Sequence, residues 1–560
     1  MVDRSASRDP DRVIGMAAKS ADISQGFDTL TMGQLSNAVN FAARWIDARI
    51  VPSQTSSDMQ TIAYVGVQDF RYWVMEFAAM KTGHPLLIPS PNNAVANTVS
   101  LLEATKCSTF FFAAPLAARA ESIRGAMPEL SIYQIPDLSE MVTTPAEAYP
   151  YIKTYDEAKN DKAVILHTSG STGAPKPIPY THGFLGRFDL DGKTPPVLGR
   201  KTATLDRFEN KVTYLGSPFF HLSGLGFGWN VFYVGMVAVI GPPHVPASGR
   251  IISDIVKAVR PSCMVMVPHL CDSVFMEHGE GMKESLKSLE TVLWLGGQAH
   301  HVSAFGRNPR PNAFANLFAA GPLAQATGDY ITRNTNAELC QFMGSTETGP
   351  LSLLIPHREH WNYLEFHPLL GPTMERLSPT SDVYELVINR TSDPAVAWIN
   401  SVFEAFPHLT QWRSKDLLRK MEGEGMENLW KFEGRLDDQI TLRTALKVNP
   451  VHIEMKFLVH PLLKGCLVFG NDRTRCGMLI EPQDSNKTSK ADLVKSVWED
   501  VQKVNEIMPE HAHIDRSMIL VTGKDKPFVR ASKGTFIRAL TLKEYKAEID
   551  ELYQLNGLGK

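Results

Sequence analysis

The sequence predicts an α/β protein: a large N-terminal domain of layered sheets and helices, followed by a small α+β C-terminal domain. Three observations carry this. Short apolar runs alternate with longer amphipathic ones through most of the chain, as strands and crossover helices of a largely parallel sheet do. Past Val383–Ile388 the character changes to clustered charges and alternating apolar residues. A chain of 560 residues also exceeds one ordinary core, so several packed units are expected.

Taken in order, Thr61–Val67 reads as a strand, Phe70–Thr82 has helical spacing, and Pro85–Pro89 returns to an extended run. Ala96–Ala104 is helical again and Thr109–Ala113 is a strand. Further strands are predicted at Val164–His167, Val212–Gly216, Met264–Val267 and Val292–Leu295. Leu222 to Ile240 is apolar enough to mimic a membrane span. Its glycines at 224, 226, 228 and 235, and the prolines at 242 and 243, make a buried helix running into a core strand (Met236–Ile240) the better reading. Trp430–Val448 is expected to form a hairpin, followed by a helix over Lys490–Asn505 and a strand over Met518–Thr522. A boundary near Gly434–Asp437 divides the chain into 1–434 and 435–560.

Composition excludes several function classes. Hydrophobic residues are 43% and charged residues 21%, ordinary for a globular protein, and the net charge of −3 gives no basic excess for nucleic acid or an anionic membrane. The six cysteines form no Cys-x-x-Cys pair, which argues against a zinc site and a disulfide scaffold and fits a reduced, cytoplasmic setting. The polar N-terminal stretch does not read as a signal peptide. His511-Ala-His513 and the pair His357 and His360 lack a complete ligand set. No Gly-x-Ser-x-Gly elbow appears.

The sharpest chemical signal is His167-Thr-Ser-Gly-Ser-Thr-Gly-Ala-Pro-Lys176, directly after a predicted strand. Glycines and small hydroxyl residues let backbone N–H groups approach a polyphosphate closely, and Lys176 adds positive charge. The spacing is not Gly-x4-Gly-Lys-Ser/Thr, so this is not the P-loop of kinases and GTPases. A Ser/Gly linker is the bland alternative, but linkers seldom follow a buried strand with this order of residues.

That segment resembles the phosphate loop of the adenylate-forming superfamily of acyl-CoA synthetases, luciferases and peptide-synthetase adenylation domains. Further matches follow in the family's order. Ser217-Pro-Phe-Phe-His-Leu-Ser-Gly224 is similar to the start of the substrate-side helix, with His221 at an acid gate. Trp294-Leu-Gly-Gly-Gln-Ala299 resembles the turn that lines adenine. Phe342-Met-Gly-Ser-Thr-Glu-Thr-Gly349 resembles the second nucleotide motif, with Met343 where the family has Tyr. Asp416 stands at the place of the family's Thr-Gly-Asp, although the preceding residues Trp412-Arg-Ser-Lys415 depart from it. Gly434-Arg-Leu-Asp-Asp-Gln-Ile440 matches the hinge motif, and Lys447-Val-Asn-Pro450 and Glu454 continue it. Pro527-Phe-Val-Arg-Ala-Ser-Lys533 resembles the catalytic-lysine motif. With Thr29–Leu35 and Ala78–Gly83, the resemblance spans Phe27 to Leu540. It is strongest to the adenylation domain of fungal NRPS-like enzymes of the carboxylic acid reductase type.

The resemblance implies roles residue by residue. Catalysis falls to Lys533, Glu347 and His221. Nucleotide contacts fall to Thr168, Ser169, Gly170, Ser171, Thr172, Gly173, Lys176, Gly297, Gln298, Phe342, Met343, Gly344, Ser345, Thr346, Asp416 and Arg435. Glu347 is the Mg²⁺ ligand, and Asp437 is the hinge about which a mobile C-terminal domain turns. The acid pocket is formed by His221, Phe220, Trp229, Gly297, Cys340 and Phe342. No Asp stands ready to pair an α-ammonium, which disfavours an amino acid and leaves an aryl or other non-amino acid as the expected substrate. The cofactors implied are ATP and Mg²⁺, with a phosphopantetheine thiol as acceptor. Its source is a carrier domain in cis or trans, or coenzyme A in the alternative of a free-standing acyl- or aryl-CoA ligase. A non-catalytic, nucleotide-binding descendant is the reading of another class.

Overall fold

The computed structural model describes residues 1–50, 59–168, 175–203, 205–295, 323–379, 382–393, 399–444, 446–457, 460–484, 489–530 and 536–558. Two α/β sheets dominate. The first has six strands in the order Ser131–Gln134, Thr109–Phe112, Ile62–Val65, Leu86–Leu87, Lys162–Thr168 and Lys176–Thr181. All neighbours run parallel except the last pair, which is an antiparallel hairpin. The second has seven, from Glu338–Phe342 through Thr291–Leu295, Cys263–Met266, Val212–Leu215, Val237–Ile240 and Val13–Ala18 to Phe27–Thr31. It too is parallel apart from its edge strand Phe27–Thr31. Strands covered on both faces bury every residue, as Ile62–Val65, Cys263–Met266 and Thr291–Leu295 do. That is why they read as unbroken apolar runs.

The helix Arg71–Thr82 lies buried in the main core and stops at Gly83, whose φ of +78° suits a residue without Cβ. Met32–Asp47 is fixed at its start by a capping box between Thr31 and Gln34. The span-like segment is a helix Leu222–Gly228, a second helix Asn230–Tyr233 and a core strand Val237–Ile240. Among the described residues no helix is long and apolar enough to cross a membrane. All six cysteines are buried free thiols.

A third sheet of six antiparallel strands follows, in the order Leu353–Leu354, Leu364–Phe366, Leu429–Arg435, Gln411–Lys420, Val383–Asn389 and Thr373–Arg376. It corrects the expected hairpin over Trp430–Val448. Leu429–Arg435 pairs instead with Gln411–Lys420 and Leu364–Phe366. The strand ends where Gly434 adopts φ +131° and a short 3₁₀ turn begins at Leu436. The hairpin that does form joins Ile440–Thr441 to Lys447–Val448.

The C-terminal part has its own sheet of Leu463–Phe469, Cys476–Pro482 and Ile514–Val521, covered by the helices Lys490–Ile507 and Lys546–Leu555. Glu454, fully buried, receives two bonds from the Arg538 guanidinium at 2.8 and 2.7 Å and one from the Val468 N–H.

Candidate nucleotide and acid site

The strands Lys162–Thr168 and Lys176–Thr181 pair in a register that sets Thr168 opposite Lys176. Thr168 is half-buried and Lys176 exposed. Ser169, Gly170, Ser171, Thr172 and Gly173 lie outside the described residues, as do Gly297, Gln298 and Lys533. His167 is buried, and its Nε2 accepts the Ser90 N–H at 3.0 Å, which places the ring proton on Nδ1.

Thr346 and Glu347 occupy the tip of a second hairpin, in which Gly344–Ser345 pairs with Gly349–Pro350. Two glycines make it possible. A Cβ on Gly344 would stand 2.3 Å from the Gly349 carbonyl, and Gly349 has φ +66°. Ser345 and Thr348 brace the tip. The Ser345 N–H donates to the Thr348 hydroxyl at 3.0 Å, and the Thr348 N–H donates back to Ser345 Oγ at 3.1 Å. The Tyr180 hydroxyl, from the phosphate hairpin, donates to the Thr346 carbonyl at 2.5 Å and so ties the two hairpins together. Burial, with Glu347 nearby, pushes the Tyr180 phenol far above its ordinary range, and it stays a neutral donor. Glu347 is half-buried. A carboxylate oxygen is the hard donor that Mg²⁺ takes, so Glu347 fits that ion. Met343 is buried in the apolar cluster that includes Leu351, Leu364 and Leu418.

Asp416 and Arg435 face each other across neighbouring strands, with Asp416 Oδ1 3.2 Å from Arg435 Nη1. The Ser414 hydroxyl donates to the Leu386 carbonyl at 2.8 Å and accepts the Asp416 N–H at 2.9 Å. Between them Lys415 has φ +63°, a left-handed conformation that glycine adopts without strain. Asp437 lies in the 3₁₀ turn Leu436–Asp438. The bridge between Arg530 and Phe536 brackets the segment that contains Lys533.

On the acid side, His221 is the half-buried N-cap residue of the helix Leu222–Gly228, and its ring lies 4.6 Å from that of Phe220. Phe342 meets Phe227 of that helix edge-on at 5.0 Å. Cys340, two residues back on the same strand, is buried, and burial pushes its thiol up to about 11. Trp229 ends the helix, and its indole N–H points at both oxygens of Glu76, each 3.0 Å away.

Three supporting residues escaped the sequence reading. Gln68 holds the Ser217–Phe219 backbone by donating to the Ser217 carbonyl at 2.9 Å and accepting the Phe219 N–H at 3.0 Å. Tyr180 and Glu76 are the others. Only Glu76 left a signal, as a lone acid in the apolar run Tyr72-Trp-Val-Met-Glu-Phe-Ala-Ala79.

The decisive comparison is with known families. The model of the AMP-binding enzyme matches residues 2–369, and that of the AMP-binding enzyme C-terminal domain matches 437–556. This chain belongs to the AMP-binding enzyme family. Among curated AMP-binding relatives, the isocyanide synthase-NRPS hybrid crmA of Aspergillus fumigatus is 29% identical over 99% of this chain and 33% of its own length. The carboxylic acid reductase of Neurospora crassa is 27% identical over 98% of this chain and 50% of its own length. The adenylate-forming reductase Nps9 of Serpula lacrymans is 26% identical over 90% and 45%. The chain therefore spans a third to a half of these relatives, which are fungal NRPS-like proteins and reductases. Solved structures show the same fold. ATP-bound MatB from Rhodopseudomonas palustris has a TM-score of 0.67 at 15% identity, covering 97% of each chain. A benzoate CoA ligase from Burkholderia xenovorans has 0.65 at 17% identity, covering 96% of this chain and 98% of its own.

Proposed function

We propose that this chain activates a carboxylic acid, aryl or otherwise without an α-amino group, as its acyl-adenylate and hands the acyl group to a phosphopantetheine thiol on a carrier domain. The observation that supports it most is the Tyr180 bond to Thr346. It couples the phosphate hairpin to the hairpin bearing Glu347, so triphosphate and metal ligand share one rigid frame.

The chemistry needs such a frame. A carboxylate is a poor acyl donor because its leaving group would be oxide. When a carboxylate oxygen attacks the α-phosphorus of ATP, a mixed anhydride forms, the bond to the β-phosphate oxygen breaks, and pyrophosphate leaves with the electron pair. Both reactants are anions, so the protein's work is positioning and charge neutralisation. The segment from Thr168 to Lys176 holds the β- and γ-phosphates. Asp416 accepts the ribose hydroxyls, and Arg435 beside it contacts the nucleotide. Mg²⁺ bound on Glu347 supplies charge neutralisation at the phosphates. Lys533 bridges the acid's carboxylate and the α-phosphate. Rotation of the C-terminal domain about Asp437 then withdraws Lys533 and admits the thiol. The thiolate attacks the acyl carbon, and AMP departs.

The test is acid-dependent pyrophosphate release with ATP and Mg²⁺ across benzoic, cinnamic, arylpyruvic, fatty and amino acids, alongside Lys533→Ala. Release with one acid class, lost in the variant by a factor of ~10³ or more, is expected for an anion clamp of several kcal/mol. Silence across the panel with ATP still bound would refute adenylation. Acyl transfer to coenzyme A in place of an added carrier would refute the choice of acceptor.

A further inference from the structure

The helix Arg71–Thr82 belongs to the first sheet's half of the molecule, yet one side of it is the seat of the segment that carries the expected acid gate. Trp73 packs on Phe219 at 5.4 Å and on Phe232 at 6.3 Å, and Phe77 meets Phe232 edge-on at 4.9 Å. The approach is close enough that a Cβ on Gly228 would stand 2.6 Å from the Trp73 indole nitrogen. In the middle of this apolar contact lies Glu76, with no exposed surface. Its two oxygens are both engaged by one donor, the Trp229 indole N–H, at 3.0 Å each.

A buried carboxyl group is costly even when protonated, and a single neutral donor offsets little of that cost. What the arrangement provides is a fixed ring. Trp229 sits at the break between the helices Leu222–Gly228 and Asn230–Tyr233, where backbone bonds alone leave the side chain free to turn. The Glu76 contact at one edge and Phe188, edge-on at 4.9 Å, set the indole's plane. The N–H between two oxygens selects one rotamer of an otherwise two-fold choice.

We propose that Glu76 is a positioning residue for acid recognition: it clamps the Trp229 indole as the inner wall of the acid pocket and thereby sets which acids fit. This rests on the adenylation reading above and on the helix after His221 lining the acid pocket. A wall moved by the width of a methylene shifts discrimination between acids by roughly 10- to 200-fold.

The experiment measures acid-dependent pyrophosphate release, as kcat/KM for a size-graded series of acids and as KM for ATP, in wild type, Glu76→Leu, Glu76→Gln and Trp229→Phe. Leu fills the volume without an acceptor, and Gln keeps one. The expected result is a change of at least ~10-fold in the ratio of large to small acids for Glu76→Leu, with the KM for ATP within about twofold of wild type. Glu76→Gln restores the wild-type order. Trp229→Phe, which has no N–H, alters the ratio, and adding Glu76→Leu to it changes nothing further. Unchanged ratios in an active Glu76→Leu variant would overturn the proposal. So would equal losses for acid and ATP, which would mark Glu76 as merely structural. No release from the wild type is a different outcome: it overturns the adenylation reading, and this inference with it.

Discussion

Replacing Glu76 by glutamine should stabilise the protein, and increasingly so as the pH rises. Burial pushes the Glu76 carboxyl up to about 8, with only the Trp229 N–H drawing it back down. An exposed glutamate in the unfolded chain ionises at ~4.3. Between those values the folded protein holds a proton that the unfolded chain has released, so stability falls with rising pH by about 1.4 kcal/mol per unit. The stability is fully present below the unfolded value and lost as pH rises through the folded one. The glutamine side chain cannot ionise in either state, so the variant lacks this slope. From pH 5 to pH 8 the gap between variant and wild type should widen in the variant's favour, towards a ceiling of about 5 kcal/mol. The titratable group packed nearby is Tyr233, whose phenol burial pushes well up and which stays neutral throughout. The assay is urea unfolding of both proteins at pH 5, 6, 7 and 8, followed by tryptophan fluorescence. Parallel curves, or a variant losing ground as pH rises, would refute the reasoning.

Other outcomes follow from the same geometry. Lys415→Val should cost ~1–2 kcal/mol of stability, because a β-branched side chain is strained at φ +63°, whereas Lys415→Gly should cost nothing; denaturant midpoints distinguish the two. Tyr180→Phe removes the bond to the Thr346 carbonyl, and should lower stability by ~1–2 kcal/mol and weaken ATP binding several-fold in an ATP titration. Arg538→Leu removes the guanidinium that donates to both oxygens of the buried Glu454 carboxylate and should destabilise the C-terminal part by ~3–5 kcal/mol, seen as early proteolysis of that part in urea.

The two parallel sheets were legible in the sequence because burial on both faces writes a continuous apolar run, as in Thr109–Phe112. The third sheet was not. Gln411–Lys420 is rich in charge, and its register is written in cross-strand ion pairs rather than apolar periodicity. Arg413 meets Glu385 at 2.5 Å, and Arg419 meets Glu433 at 3.1 Å. The sheet's edge-side strands Leu353–Leu354 and Leu364–Phe366 are too short to carry a period of two. In the same way, the segments His167–Lys176 and Phe342–Gly349 stand out in the sequence because their order of glycines and small hydroxyl residues is local. The residues that brace the candidate site come from far along the chain. Gln68 is 149 residues from Ser217, Glu76 is 153 from Trp229, and Tyr180 is 166 from Thr346.

The departures from the family's motifs point the same way. Lys415 replaces the Gly before Asp416, yet it takes up the left-handed backbone that Gly would supply, at a cost of about 1 kcal/mol. That backbone turns the Asp416 N–H onto Ser414 and sets the carboxylate against Arg435. Had the strand instead relaxed to accommodate Lys415, the pairing of Asp416 with Arg435 would slip. The strain is tolerated because the Asp416–Arg435 register fixes the backbone on either side of it. The motif is therefore better defined by the backbone it imposes on Asp416 than by the identity of the residue before it.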